Sequence, residues 1–129
     1  MHPEDRRYSR DHEWAKDEGD GTVLVGITGY AQEHLGDIVF LELPKVGAAL
    51  SSTQKLGEVE SVKSVSDILS PISGEVVAVN QVVVDSPELV NEDPYENGWL
   101  VRVKPSQPAE MDSLMTAADY ESFLGSLGQ

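Results

Sequence analysis

A chain of 129 residues with 40% hydrophobic content can bury one modest core, so a single domain spanning 1–129 is expected and a disordered acidic tail is excluded. The net charge of −14 repels phosphate backbones and anionic lipid, which makes nucleic-acid and membrane-surface roles poor fits. The chain has no cysteine, hence no disulfide or thiol nucleophile, and no apolar run approaches the length of a membrane span.

The opening Met1-His2-Pro3-Glu4-Asp5 is acidic and lacks the apolar stretch of a secretory signal. The expected compartment is therefore the cytoplasm, although a mature mitochondrial protein freed of its presequence reads the same. A strand is expected around Trp14, then a turn at Glu18-Gly19-Asp20-Gly21, then a strand over Thr22–Ile27 with Val23, Val25 and Ile27 on one face. Thr28 can cap a short helix through Tyr30, Ala31, His34 and Leu35, with Gly36 ending it. Strand alternation resumes at Ile38–Leu43, placing Val39, Leu41 and Leu43 together, and again at Glu75–Asn80 and Trp99–Lys104. Asn97-Gly98 marks a tight turn before Trp99. Pro108 opens a helical turn carrying Met111, Leu114 and Met115 on one side. Thr116 and Asp119 resemble an acidic capping box, and Tyr120, Phe123, Leu124 and Leu127 form the inward stripe of a C-terminal helix. Many short strands at this spacing predict a barrel or sandwich. A weak echo, Gly47-Ala48-Ala49-Leu50 against Gly74-Glu75-Val76-Val77, suggests two similar β halves facing each other across a central hairpin.

Nothing in the chain points to autonomous catalysis. The three histidines, His2, His12 and His34, are far apart in sequence and form no paired metal motif. Phosphate-binding loops, dinucleotide fingerprints and nucleophile elbows are absent from the sequence. The informative stretch is Glu58-Val59-Glu60-Ser61-Val62-Lys63-Ser64-Val65-Ser66-Asp67, which reads as two strands meeting at a turn with Lys63 at or near its tip. An ordinary solvated lysine satisfies that pattern equally well.

Taken in order, these segments resemble the glycine cleavage H-protein family over roughly residues 7–125. The resemblance is carried by Asp11-His12-Glu13-Trp14, by Val25-Gly26-Ile27-Thr28 through Gly36-Asp37, and by Phe40-Leu41-Glu42-Leu43-Pro44. It continues through Val59-Glu60-Ser61-Val62-Lys63, Ser70-Pro71-Ile72-Ser73-Gly74-Glu75, Asp85–Asn91 and Pro94–Leu100. Two minor departures are Gly29, where an acid is common, and Asp11, where a hydroxyl residue or an acid occurs.

The resemblance implies a mainly β fold, a flattened barrel-sandwich hybrid similar to lipoyl domains, with short flanking helices and a C-terminal helix. It implies lipoate on Lys63, borne by a hairpin over about 56–74, with Glu60, Ser61 and Val62 as the attachment motif that a lipoate-attaching enzyme meets. The implied cycle runs from glycine decarboxylase (pyridoxal phosphate) to aminomethyltransferase (tetrahydrofolate), with reoxidation by dihydrolipoyl dehydrogenase (FAD). The chain itself would be a non-catalytic carrier, monomeric by default. A cationic aminomethyl arm folded into an acidic cleft would be shielded from water, and Glu13 and Asp67, then Asp11 and His34, are the candidates to line it. The alternatives are an H-like protein that relays lipoate to other enzymes and an unmodified acidic β interaction module. Biotin is disfavoured because Lys63 lies between Val62 and Ser64 rather than between methionines.

Overall fold

The computed structural model describes residues 2–127. Among these described residues, nine strands form two antiparallel sheets: β1 (Arg7–Tyr8), β2 (Glu13–Asp17), β3 (Val23–Ile27), β4 (Ile38–Glu42), β5 (Ala49–Leu50), β6 (Lys55–Ser61), β7 (Val65–Leu69), β8 (Gly74–Val79) and β9 (Val101–Pro105). The larger sheet has the order β1-β2-β3-β9-β8-β5 and the smaller the order β4-β6-β7. The expected flattened sandwich holds, as two sheets that are not hydrogen-bonded to each other among the described strands. The two echo segments turn out to be partners in one sheet, with Ala49 opposite Glu75 and Leu50 opposite Gly74.

Alternation explains the main core. Val23, Val25, Ile27, Val101 and Val103 from the large sheet meet Leu41, Leu56, Val59 and Ile68 from the small one, all buried. One expectation fails locally. The register between β4 and β6 shifts between Ile38 and Phe40, so Ile38 and Leu41 point inward while Val39 is left 52% exposed. A one-residue bulge flips the side chains on either side of it, which simple alternation cannot anticipate.

The far face of the large sheet is covered by α4 (Ala117–Leu127), which begins as expected, with the Asp119 N–H donating to Thr116 Oγ1 at 3.2 Å. Tyr120 from its stripe is fully buried with Tyr8 and Trp14, while Leu127 lies at the exposed end. Trp14 stands directly opposite Gly26. A Cβ at Gly26 would come within 2.5 Å of the indole, so only glycine leaves room for that ring. Gly26→Ala should lower stability by about 1–3 kcal/mol through overpacking, read as a lower urea midpoint with unchanged slope.

Of the remaining helices, α1 (Gly29–Leu35) matches expectation, with Thr28 accepting from the Ala31 N–H and Gly36 closing the helix. The turn at Pro108 is a 3-10 helix over Pro108–Ser113. Two short helices, α2 (Gln81–Asp85) and α3 (Glu88–Glu92), were not legible, because a Gln-Val-Val-Val run favours strand by composition. Asn80 overrides that preference by accepting the Val82 N–H as an N-cap. Asn97-Gly98 does form a turn, but one folded back on the end of α3 through Asp93 rather than joining two strands.

Candidate functional site

The hairpin β6–β7 ends in the turn Val62-Lys63-Ser64, and Lys63 is at its tip, exposed. Ser61, itself buried, builds that turn. Its hydroxyl accepts the N–H groups of Lys63 (3.1 Å) and Ser64 (3.2 Å), and its own N–H donates to Ser64 O at 2.8 Å. Val62 is 67% exposed and tied by its N–H to Asp37 O, while Glu60 points to solvent between Phe40 and Val65. Among the described residues, the Lys63 ammonium has neither an ion pair nor a side-chain hydrogen bond. The hairpin proper ends at Leu69, short of the expected 74, because the chain then crosses to the large sheet where β8 starts.

Beside the hairpin lies a cavity of about 520 Å³. Asp11, Glu13, His34 and Asp67 are among the residues that line it. Ile27, Ala31, Leu35, Val59, Ile68 and Leu69 supply its apolar lining. The helix α1 connects cavity and lysine. Its last turn lines the cavity through His34 and Leu35, and the next residue, Gly36, lies against the Lys63 stem. A Cβ on Gly36 would sit 3.2 Å from Lys63 Cε, and its φ of +81° is strained for any other residue.

The acids differ in state. Glu13 is 2% exposed, held by a 2.7 Å hydrogen bond from Ser9 Oγ and a 3.3 Å bond from the Leu69 N–H. Burial pushes its carboxyl up to about 8, against the pull of those two donors and with help from the Asp11 charge. Asp67 is 59% exposed and 3.5 Å from Lys55. Asp11 is also exposed, with its N–H donating to Ser9 Oγ. His34 stacks on Tyr30 with ring centres 4.0 Å apart, and Tyr30 in turn lies against His12 at 4.6 Å. The stack His34–Tyr30–His12 forms one wall of the cavity.

Sequence reasoning missed Ser9, Tyr30 and His12. Ser9 is four residues before Glu13 in a tight 9–13 turn, a spacing that could have suggested a side-chain clasp. Tyr30 was read only as a helix residue, although helical spacing puts it directly under His34.

The scaffold thus defines a class of protein: a two-sheet β module presenting a lysine on a rigid turn at the rim of an acid-lined cavity. The model of the glycine cleavage H-protein family matches residues 6–126. The chain is 52% identical to glycine cleavage system H protein 2 of Pseudomonas aeruginosa, over 98% of this chain and 97% of that one. It is also 52% identical to the glycine cleavage system H protein of Shigella dysenteriae, over 95% of each. A crystal structure of a glycine cleavage system H protein from Mycobacterium marinum superposes with a TM-score of 0.85 at 44% identity, covering 98% and 99% of the two chains. The chain belongs to the glycine cleavage H-protein family.

Proposed function

We propose that this chain is a lipoyl carrier of the glycine cleavage system, with lipoate joined in amide linkage to Nζ of Lys63. The observation that carries the reading is an exposed lysine on a self-supporting turn, its stem lying against the helix that lines the acidic cavity. The cavity's size is within the range of about 300–1,000 Å³ typical of small-molecule sites. Its mixed lining suits a chain with an apolar stem and a cationic end. When attached, the lipoyl group supplies a tethered sulfur that carries an aminomethyl unit and a dithiol that can be reoxidised.

The residues of the chain bind, orient and exclude water. Lys63 anchors, and Ser61 fixes the direction of departure. Ile27, Leu35 and Val59 keep water from the cavity floor, where electrostatic attraction is stronger for lack of screening. Glu13 is the acid best placed to meet a buried ammonium, because such a partner compensates the burial that otherwise keeps its carboxyl protonated. Asp67 and Asp11 guard the rim, and His34 with Tyr30 forms the facing wall. Glu60, exposed on the hairpin, is the side chain a lipoate-attaching enzyme would meet.

The partners on this reading are glycine decarboxylase, aminomethyltransferase and dihydrolipoyl dehydrogenase, acting in the cytoplasm, and the chain alone turns nothing over. Tethering raises the local concentration of the shared group at each partner. The test is intact-mass spectrometry of the protein incubated with lipoate, ATP and a lipoate-attaching enzyme, followed by peptide mapping. One lipoyl increment on Lys63 is expected. No increment, with a control acceptor modified in parallel, would overturn the reading and leave an unmodified interaction module.

A further inference from the structure

The C-terminal helix reaches the cavity wall through the Phe123 ring, 6.0 Å from His12, and through one hydroxyl. Tyr120 Oη lies 2.8 Å from Thr28 Oγ1 and 2.8 Å from His12 Nδ1, residues 92 and 108 positions away. Thr28 and Tyr120 are both fully buried. Counting hydrogens gives the direction of this chain. Thr28 Oγ1 already accepts the Ala31 N–H, so its own proton needs an acceptor, and Tyr120 Oη is the one within reach among the described residues. The Tyr120 proton then goes to His12 Nδ1. The reverse order would strand a buried hydroxyl proton, the costlier arrangement. An imidazole that accepts at Nδ1 carries its proton on Nε2 and is neutral.

We propose that Tyr120 is a positioning residue for the cavity: its hydroxyl holds His12 as the neutral Nε2–H tautomer, so that the wall offers a hydrogen-bond donor without a positive charge. The proposal deepens the carrier reading and rests on it for its purpose, since a cationic arm would be repelled by an imidazolium in the wall. His12 needs such help. It is part-buried in the aromatic stack and sits in the left-handed backbone region at φ 69°, a strained conformation for a non-glycine residue. Burial also disfavours its charged form, with His34 acting in the same sense and Asp11 against. The other charged groups of the lining are Arg10, Glu13 and Asp67. All of these stay in place when only the Tyr120 hydroxyl is removed. The stack of its ring on Tyr8, centres 4.8 Å apart, stays as well.

The experiment uses the unmodified chain and needs no lipoate. Long-range proton–nitrogen NMR of the imidazoles reports the tautomer of His12 and its titration midpoint. In the wild-type protein the Nε2–H form is expected, a result that depends on no variant folding. In Tyr120→Phe the midpoint should rise by about one pH unit, the effect of losing one hydrogen bond to the neutral ring. An Nδ1–H tautomer in the wild type, or an unmoved midpoint in a folded Tyr120→Phe, would overturn the proposal. With loaded protein, Tyr120→Phe should lose its cargo severalfold faster between the wild-type and the new His12 midpoints, where only the variant is charged, and at the wild-type rate above the new midpoint and well below the old one. An unchanged profile there would overturn the role toward the arm. Failure of lipoate to attach at Lys63 would refute the carrier reading and leave the His12 measurements standing, so the two failures are separable.

Discussion

Lys63→Arg should reduce glycine cleavage in a system reconstituted with the partner enzymes to background, with no lipoyl increment in the mass spectrum. Arginine keeps the charge and much of the length, but its delocalised guanidinium does not take the acyl group as a primary amine does. The fold should not notice. Lys63 is exposed and its side chain has no ion pair among the described residues, so the melting temperature should match the wild type, with a change in stability within about 0.5 kcal/mol. A variant that keeps activity would remove lipoate from the account. A variant that unfolds would say that the turn needs the lysine, contrary to the hydrogen bonding of Ser61.

The second large effect is expected at Glu13. Its folded-state carboxyl is pushed up to about 8 from an ordinary 4.5, chiefly by burial. Between those values the unfolded chain is ionised while the folded one still holds its proton. The wild-type protein should therefore lose stability as pH rises from about 4.5 to 8 and level off above, by on the order of a few kcal/mol from this group. Glu13→Gln, neutral throughout, should lack that decline in urea-unfolding curves taken across the range. The same substitution should leave lipoate attachment at Lys63 intact, since the carboxyl is buried at the cavity and not in the turn. It should, however, release the aminomethyl cargo about tenfold faster or more, because a charge-assisted hydrogen bond is lost. Docking of a cationic arm favours the ionised carboxylate, so protection in the wild type should strengthen as pH rises toward and past 8. Equal release rates for wild type and Glu13→Gln would remove Glu13 from the cleft chemistry.

Local signals made much of this molecule legible. The Thr28 cap with Gly36 as terminator, the Thr116 cap and the alternation in Val23–Ile27 each follow from a few neighbouring residues, and each stands in the structure. The hairpin placing Lys63 at its tip was equally readable, because a polar turn separates two apolar alternations. The bulge at Val39 and the helix at Gln81–Asp85 were not, since one depends on cross-strand register and the other on a single Asn80 side chain overriding a valine run. At the site, the resemblance pointed to Glu13 and Asp67, but not to their unequal burial. The link between His12 and Tyr120 spans 108 positions and leaves no local trace in the sequence.

The Ser61 turn has a consequence for selection. Because one serine hydroxyl and backbone atoms hold the loop, folding makes no demand on the side chain at position 63. Quality control that senses unfolding will therefore pass a copy with no acceptor amine. On the carrier reading, such a copy would still occupy the enzymes that serve it, empty. A lesion at this codon would then be a poison to the pathway as well as a loss, and cells holding both alleles should grow on glycine more poorly than gene dosage alone predicts.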